Sequence, residues 1–350
     1  MGKRWKTWAA GCGAAAAAIV SAALVTACGT SQPAGAASSM PAQVKIGYQE
    51  IPNTEEIARA QGWAQQELKG TRIQYTPFSS GKDVIAAMSS GAIDIAVIGS
   101  SPAAAAIAQG TGYEVIYICD VEGKNEALVV KKNEHIDSLA GLKGHTIATP
   151  FGSTSAFSLF MALKQQGISD SSLKILDMEP QQILAAWERG NIDGAYVWEP
   201  TLSKMVSDGG TVILNSGQMA KRGVVTADIL VARKDFAEKY PQVVADYLKA
   251  NIRAYNFYEQ HPTQAAAVIA KAFDISQPEA ANDMKELVWL SPSEQLSSSY
   301  LGTQGHVGKM AQIMKNNADF MVTQGDLAQS APVRTFDNAV APQYLQQAAQ

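Results

Sequence analysis

VIAAMSSGAIDIAVIGSSP, residues 84–102, returns later in the chain as ILAAWERGNIDGAYVWEP, residues 183–200. Ala86, Ala87, Gly91, Ile93, Asp94 and Ala96 of the first copy match Ala185, Ala186, Gly190, Ile192, Asp193 and Ala195 of the second at a constant offset of 99. Each copy reads as the end of a helix, a glycine turn, a buried strand and a loop, so one plan is used twice. Asp94 and Asp193 follow these glycines at a strand entrance, where aspartate bonds local backbone. They read as structural rather than as a catalytic carboxylate pair.

Around both copies, strand-like and helix-like segments alternate. VKIGYQ, a helix near 54–68, RIQYTPF, a helix near 82–89 and IDIAVIG form a first block; TIATPF, a helix near 155–166, LKILDM, a helix near 180–189 and IDGAYVW form a second. The pattern is α/β with mainly parallel sheets in two lobes. EALVVKK (126–132) and DILVARK (228–234) bracket the second block, each running from an acid through an apolar stretch to basic residues. They read as strands by which the chain crosses between lobes. The expected division is a signal segment over 1–27, a tether over 28–43, lobe 1 over 44–125, lobe 2 with the crossing strands over 126–232, and the rest of lobe 1 with C-terminal helices over 233–350. Ligands of open α/β sheets bind beyond the carboxyl ends of the strands, so the two lobes should share one cleft.

The loops expected to line that cleft carry polar groups. Tyr48, Gln49 and Glu50 follow the first strand. Gly99, Ser100 and Ser101 precede a helix with Pro102 at its first position, and Ser153, Thr154 and Ser155 start the matching helix of the second lobe. A single such turn reads as a serine cap. Two of them, one per lobe, favour an anion held from both sides by helix-start donors, with no lysine or arginine in either loop. Trp198 and Glu199 stand at the repeat position of the first serine turn; Trp198 is open to a cleft role or a packing role, as Trp187 is expected in the core. Glu126 and Asp228 begin the two crossing strands, near the hinge, where a carboxylate pair could hold an ammonium group.

Composition narrows the field. The chain has 350 residues, 47% hydrophobic and 17% charged, which is ordinary for a globular protein and long enough for two cores. Its net charge of −4 includes Lys3, Arg4 and Lys6 of the leader, and nothing in it invites nucleic acid. That basic start, an alanine-rich apolar stretch and Val25-Thr26-Ala27-Cys28 read as a bacterial lipoprotein signal with Cys28 lipidated; an uncleaved membrane anchor is the rival reading. With Cys28 lipidated, Cys119 is the one thiol of the folded part, a small core residue with no disulfide partner. His135, His145, His261 and His306 show no ligand spacing, so no metal and no cofactor are expected.

GSSP (99–102), NEALVVKK (125–132), ATPFGSTS (148–155), AAWERGNIDGAYVWEP (185–200) and ARKDFAEKYPQVV (232–244) together resemble the taurine-binding components of bacterial ABC importers, from about Val44 to about Lys271. The resemblance implies a two-lobed type II periplasmic-binding-protein fold that closes on its ligand and delivers it to a membrane permease and its ATPase. It also implies ligand contacts from Gln49, Ser100, Ser101, Glu126, Ser153, Thr154, Trp198 and Asp228, with Glu50 and Glu199 as further candidates. Relatives commonly have a small residue where this chain has Glu199. The expected protein is an exported, lipid-anchored monomer that binds taurine or a close aminosulfonate and is not an enzyme. The alternatives are a receptor for alkanesulfonates or another small anion, and an enzyme on the same fold such as a pyrimidine-precursor synthase. The cleft loops hold no nucleophile with a base, metal cluster or cofactor lysine for the latter.

Overall fold

The structure, a computed structural model, describes residues 40–350. The signal segment, Cys28 and the tether up to residue 39 lie outside the described residues. In chain order the strands are β1 Gln43–Tyr48, β2 Arg72–Pro77, β3 Ile95–Gly99, β4 Tyr113–Val121, β5 Glu126–Lys131, β6 Thr146–Thr149, β7 Lys174–Asp177, β8 Gly194–Trp198, β9 Gly210–Asn215 and β10 Ala227–Arg233. Two five-stranded sheets result, ordered β2-β1-β3-β10-β4 and β7-β6-β8-β5-β9.

These orders are the same permutation. β1 pairs parallel with β2 and β3, as β6 does with β7 and β8. One antiparallel strand is then inserted before the last: β10 between β3 and β4, β5 between β8 and β9. The inserted strand runs backwards because it is the one that enters from the other lobe. β3 and β4 are buried along their whole length, which is why their sequences are continuous apolar runs rather than alternating ones.

The sequence repeat extends to individual hydrogen bonds. The Lys45 backbone N–H donates to Asp94 Oδ2 at 2.9 Å, and the Thr146 N–H donates to Asp193 Oδ2 at 2.8 Å. Each aspartate ties its strand entrance to the neighbouring strand. Gly91 and Gly190 precede them at φ 73° and 74°, a left-handed conformation that a side chain would strain.

Some expectations need correcting. The helix expected over 54–68 is two helices, Thr54–Ala60 and Trp63–Glu67, because Gly62 at φ 65° ends the first. The crossings are made by residues 122–125 and, after the helix Ser216–Ala220 and Val224 of the second lobe, by residues 225–226, rather than by the bracketing strands. β5 lies in the second sheet, and β10, placed with lobe 2 from sequence, is hydrogen-bonded into the first, where burial between β3 and β4 satisfies both its edges.

Cys119 is buried and unpaired, and Trp187 is buried with its indole N–H on Asp208. The C-terminal helix Met310–Gln324 packs on the helix Ser100–Ala108 of the first lobe and also reaches the second. Its Phe320 ring lies 5.2 Å from that of Phe157, edge-on, within the second lobe's core. Among the described residues, no helix is long and apolar enough to cross a membrane.

Candidate functional site

The carboxyl ends of β1 and β3 from one sheet and β6 and β8 from the other meet around an internal cavity. Its volume is only ≈ 20 Å³, room for about one water, and it is lined by Gln49, Ile51, Gly81, Gly99, Pro102, Glu122, Ser153, Thr154, Trp198 and Asp228. Both lobes contribute, and they touch across it. A side chain at Gly99 would lie 3.0 Å from the Thr154 methyl, and Ser80 Oγ donates to Glu179 Oε1 at 3.2 Å.

Acids dominate the polar wall. Asp228, in β10, stands opposite Asp120 of β4 in register, and an oxygen from each of Asp120, Glu122 and Asp228 lies within 4.8 Å of the others. Asn53 donates to Asp120 Oδ1 at 2.9 Å and Asn125 to Glu122 Oε2 at 2.5 Å, while Asp120 Oδ2 is buried without a partner. Burial raises all three carboxyls; the charge of Asp228 raises Asp120 and Glu122 further, and Asp228 itself is pushed up to about 7 by burial and by Glu126, against a hydrogen bond with Glu122 that lowers it. No lysine or arginine lines the cavity among the described residues. The group therefore favours a compact cation.

Glu126 differs from its expected place. It is fully buried behind the cavity wall, where it accepts hydrogen bonds from Thr154 Oγ1 at 2.5 Å, Ser155 Oγ at 2.8 Å and Ser216 Oγ at 2.6 Å. With three hydroxyls directed at it, this carboxylate does not line the cavity. It braces the start of the helix Thr154–Gln165 instead.

The two serine turns do face each other, but by backbone more than by hydroxyl. Ser153 caps its helix, accepting from the Ala156 N–H at 3.1 Å. Ser100 Oγ accepts from the Ala227 N–H at 3.2 Å and Ser101 Oγ donates to Asn317 Oδ1 at 2.5 Å, so neither hydroxyl lines the cavity. The helix Ser100–Ala108 has no side-chain cap, and the first N–H groups of any helix lack intrahelical acceptors. Those backbone donors, with the positive helix end behind them, lie beside the acids, Gly99 at the first helix start being paired in register with Asp228.

Gln49 reaches the cavity with its amide donating to Val97 O at 3.3 Å, and Trp198 lies on the wall. Glu50 is exposed and lines the outer groove rather than the cavity. Glu199 turns away: its two oxygens accept from the Ser203 N–H and hydroxyl, on the far side of the Trp198–Pro200 turn. It is neither a cavity residue nor a solvated rim residue. Asp120 and Glu122 were missed from sequence, although Asp-Val-Glu at the end of β4 places both on one face of the strand by its two-residue period.

Buried acids set the pH response of stability. Glu55 is pushed up to about 8 and Glu56 and Asp228 to about 7, in each case mainly by burial. A raised carboxyl binds more protons folded than unfolded, so its contribution is complete below the unfolded pKa and lost as pH rises through the folded one. Without ligand, the melting temperature followed by calorimetry should fall as pH rises from about 5.5 to about 8. A melting temperature that climbs over this range contradicts the assignment.

Comparison with known proteins places these features in context. The NMT1-like family matches residues 37–273. The taurine-binding periplasmic protein of Escherichia coli (strain K12) is 34% identical over 288 residues, covering 81% of this chain and 87% of that protein. The alkanesulfonate-binding protein SsuA of Xanthomonas axonopodis pv. citri, solved with MOPS bound, superimposes with a TM-score of 0.72 at 20% identity, covering 87% of this chain and 99% of that one. The periplasmic aliphatic sulphonate binding protein SsuA of Escherichia coli does so with a TM-score of 0.68 at 21% identity, covering 84% and 96%. The last two likenesses carry the fold, the two-lobed periplasmic-binding-protein architecture.

Proposed function

The chain belongs to the NMT1-like family and, within it, to the taurine- and sulfonate-type substrate-binding components of bacterial ABC importers; on that footing we propose that it captures taurine or a close aminosulfonate by lobe closure. It is a binding protein, not an enzyme. The observation that carries the ligand reading is the polarity of the cavity, which buried carboxylates and two helix starts line together.

Glu122 and Asp228 take the ammonium group. The backbone donors of both helix starts take the sulfonate, Ser153 shaping its turn by donating its hydroxyl to Pro150 O at 2.6 Å, and Gln49 and Trp198 fix the ligand between them. Directed N–H groups in a dry site hold an oxyanion without a cationic side chain. For a ligand of taurine's size the binding free energy has a ceiling of about −10 kcal/mol, so a dissociation constant far below about 10 nM is not expected.

Calorimetry with taurine, ethanesulfonate, sulfate and glycine betaine tests the reading. Taurine should bind tightest and be recovered unchanged after hours. Its ammonium needs ionised carboxylates, so affinity should fall as pH drops from about 8 to about 6, by up to about tenfold per unit for each proton displaced. Equal binding of ethanesulfonate, or pH-independent taurine binding, turns the reading to a general sulfonate receptor.

The N-terminal segment supports export with lipid attachment at Cys28, which would keep the monomeric receptor at the outer face of the membrane beside its permease and ATPase. Replacing Cys28 with serine should yield soluble, unlipidated protein. Retention of the variant in the membrane fraction at the parent's level would assign the anchor elsewhere.

A further inference from the structure

Behind the Trp198–Pro200 turn lies a second cavity that the proposed function does not use, lined by Lys124, Glu199, Ser203, Glu279, Asn282, Asp283 and Glu286 among others. It sits where the lobes join. The Glu199 N–H donates to Asn125 O at 3.0 Å, and Lys124 N–H to Glu286 O at 2.8 Å, so the crossing segment 122–125 is bonded to both sides. Ser203 belongs to the helix Thr201–Ser207 of the second lobe. Asp283 belongs to the helix Gln277–Glu286, which packs on the helix Pro262–Phe273 of the first.

Glu199 and Asp283 are 2% and 0% exposed. The Ser203 backbone N–H donates to Glu199 Oε2 at 2.8 Å. Ser203 Oγ lies 2.9 Å from Glu199 Oε1 and 2.8 Å from Asp283 Oδ1. A serine hydroxyl has one proton and can donate to only one of these oxygens. With both carboxyls ionised, the other oxygen would face a lone pair of Ser203 Oγ at hydrogen-bond distance, in a buried site where repulsion is poorly screened. Asp283 Oδ2 is also buried and without a partner.

One added proton resolves the arrangement. A protonated carboxyl donates to Ser203 Oγ, Ser203 Oγ donates to the other carboxylate, and each of the three contacts becomes attractive. We propose that Glu199 and Asp283 share a single proton through Ser203, forming a clasp between the lobes that holds through neutral pH and lets go on the alkaline side. The facing groups favour retention of that proton: Glu279 and Glu286 on the helix of Asp283 are acids, and Lys124 is the one base lining the cavity. Burial raises both carboxyls, with Glu199 raised further by Asp283 and Asp283 by Glu279 and Glu286; Asp283 is pushed up to about 6 and Glu199 well above the usual range. A metal ion fits less well, because Glu199 Oε2 is held by the Ser203 N–H, Glu199 Oε1 and Asp283 Oδ1 both face Ser203 Oγ, and Asp283 Oδ2 is buried.

The clasp does not depend on the identity of the ligand and is tested without one. Backbone hydrogen exchange of residues 199–207 and 277–286 in the ligand-free protein, corrected for intrinsic rate, is compared at pH 7 and pH 9.5. Protection in the wild type should fall by about tenfold or more, the change expected per pH unit once the last proton is lost. Asp283→Asn and Glu199→Gln each replace the proton with an amide donor at constant charge and should keep protection at both pH values. Ser203→Ala should lack it at both. At pH 7, the infrared band of protonated carboxyl groups should be weaker in Asp283→Asn than in the wild type. Protection in the wild type that does not change with pH, amide variants that track the wild type, or an unchanged infrared band would each overturn the proposal.

Discussion

Replacing Asp228 with asparagine is expected to weaken taurine binding by about 30-fold to several thousandfold, the effect of about 2–5 kcal/mol that follows loss of one partner from a buried charge pair. Asp228 stands on the cavity wall beside Glu122, in register with Asp120, and an ammonium placed among them would be held by their charge. The asparagine amide keeps the shape and removes the charge. Ethanesulfonate, which has no ammonium, should lose little and gain slightly as repulsion on the acidic wall is relieved. The ratio of the two dissociation constants, measured by calorimetry on wild type and variant, isolates this term from any general loss of folding. In the wild type, ethanesulfonate should bind at least about tenfold worse than taurine, since it leaves buried carboxylates unpaired. A ratio unchanged by Asp228→Asn, and equally by Glu122→Gln, would remove these acids from the amine subsite.

Glu126 is expected to behave in the opposite way. Its substitution by alanine should cost about 2–5 kcal/mol of stability, because the hydroxyls of Thr154, Ser155 and Ser216 lose their common acceptor inside the core. The Glu126→Gln variant keeps one oxygen but introduces a donor against hydroxyls that must then turn, so a smaller loss is expected. Where that variant folds, its taurine-to-ethanesulfonate ratio should change far less than in Asp228→Asn, as Glu126 does not line the cavity and acts on the amine subsite only through its charge on Asp228. Chemical unfolding and calorimetry on the same samples separate the two roles. A normal melting curve with collapsed taurine selectivity would return Glu126 to the ligand.

Much of the architecture was legible because it is written twice. The spacing of Gly91 and Asp94, repeated in Gly190 and Asp193, encodes a left-handed turn and a strand-entrance bond that are local in sequence and need no knowledge of the distant chain. The serine turns were legible as positions for the same reason. The direction of their hydroxyls was not, since Ser101 is claimed by Asn317, 216 residues away, and Ser100 by the backbone of Ala227, 127 residues away. Glu126 could be placed at a strand start, but its partner Ser216 opens the short helix Ser216–Ala220, 90 residues away. Asp120 and Glu122 stand at the end of β4, where only Cys119 was read, as a core residue, and nothing local marks the two acids as neighbours of Asp228. Side-chain polarity is local, whereas what a buried polar group bonds to is decided by tertiary contacts.

The absence of lysine and arginine from the cavity lining bears on how quickly ligands arrive as well as on how they are held. The chain is net negative, with a formal charge of −4 for the full sequence. Beyond contact distance, such a field repels a simple sulfonate anion, whereas a zwitterion presents only a dipole and crosses it nearly unopposed. Dissolved salt screens that repulsion over about 10 Å at 0.1 M. Added salt should therefore speed the encounter with ethanesulfonate and leave that with taurine almost untouched, so that discrimination begins in the diffusive approach, before any hydrogen bond is made.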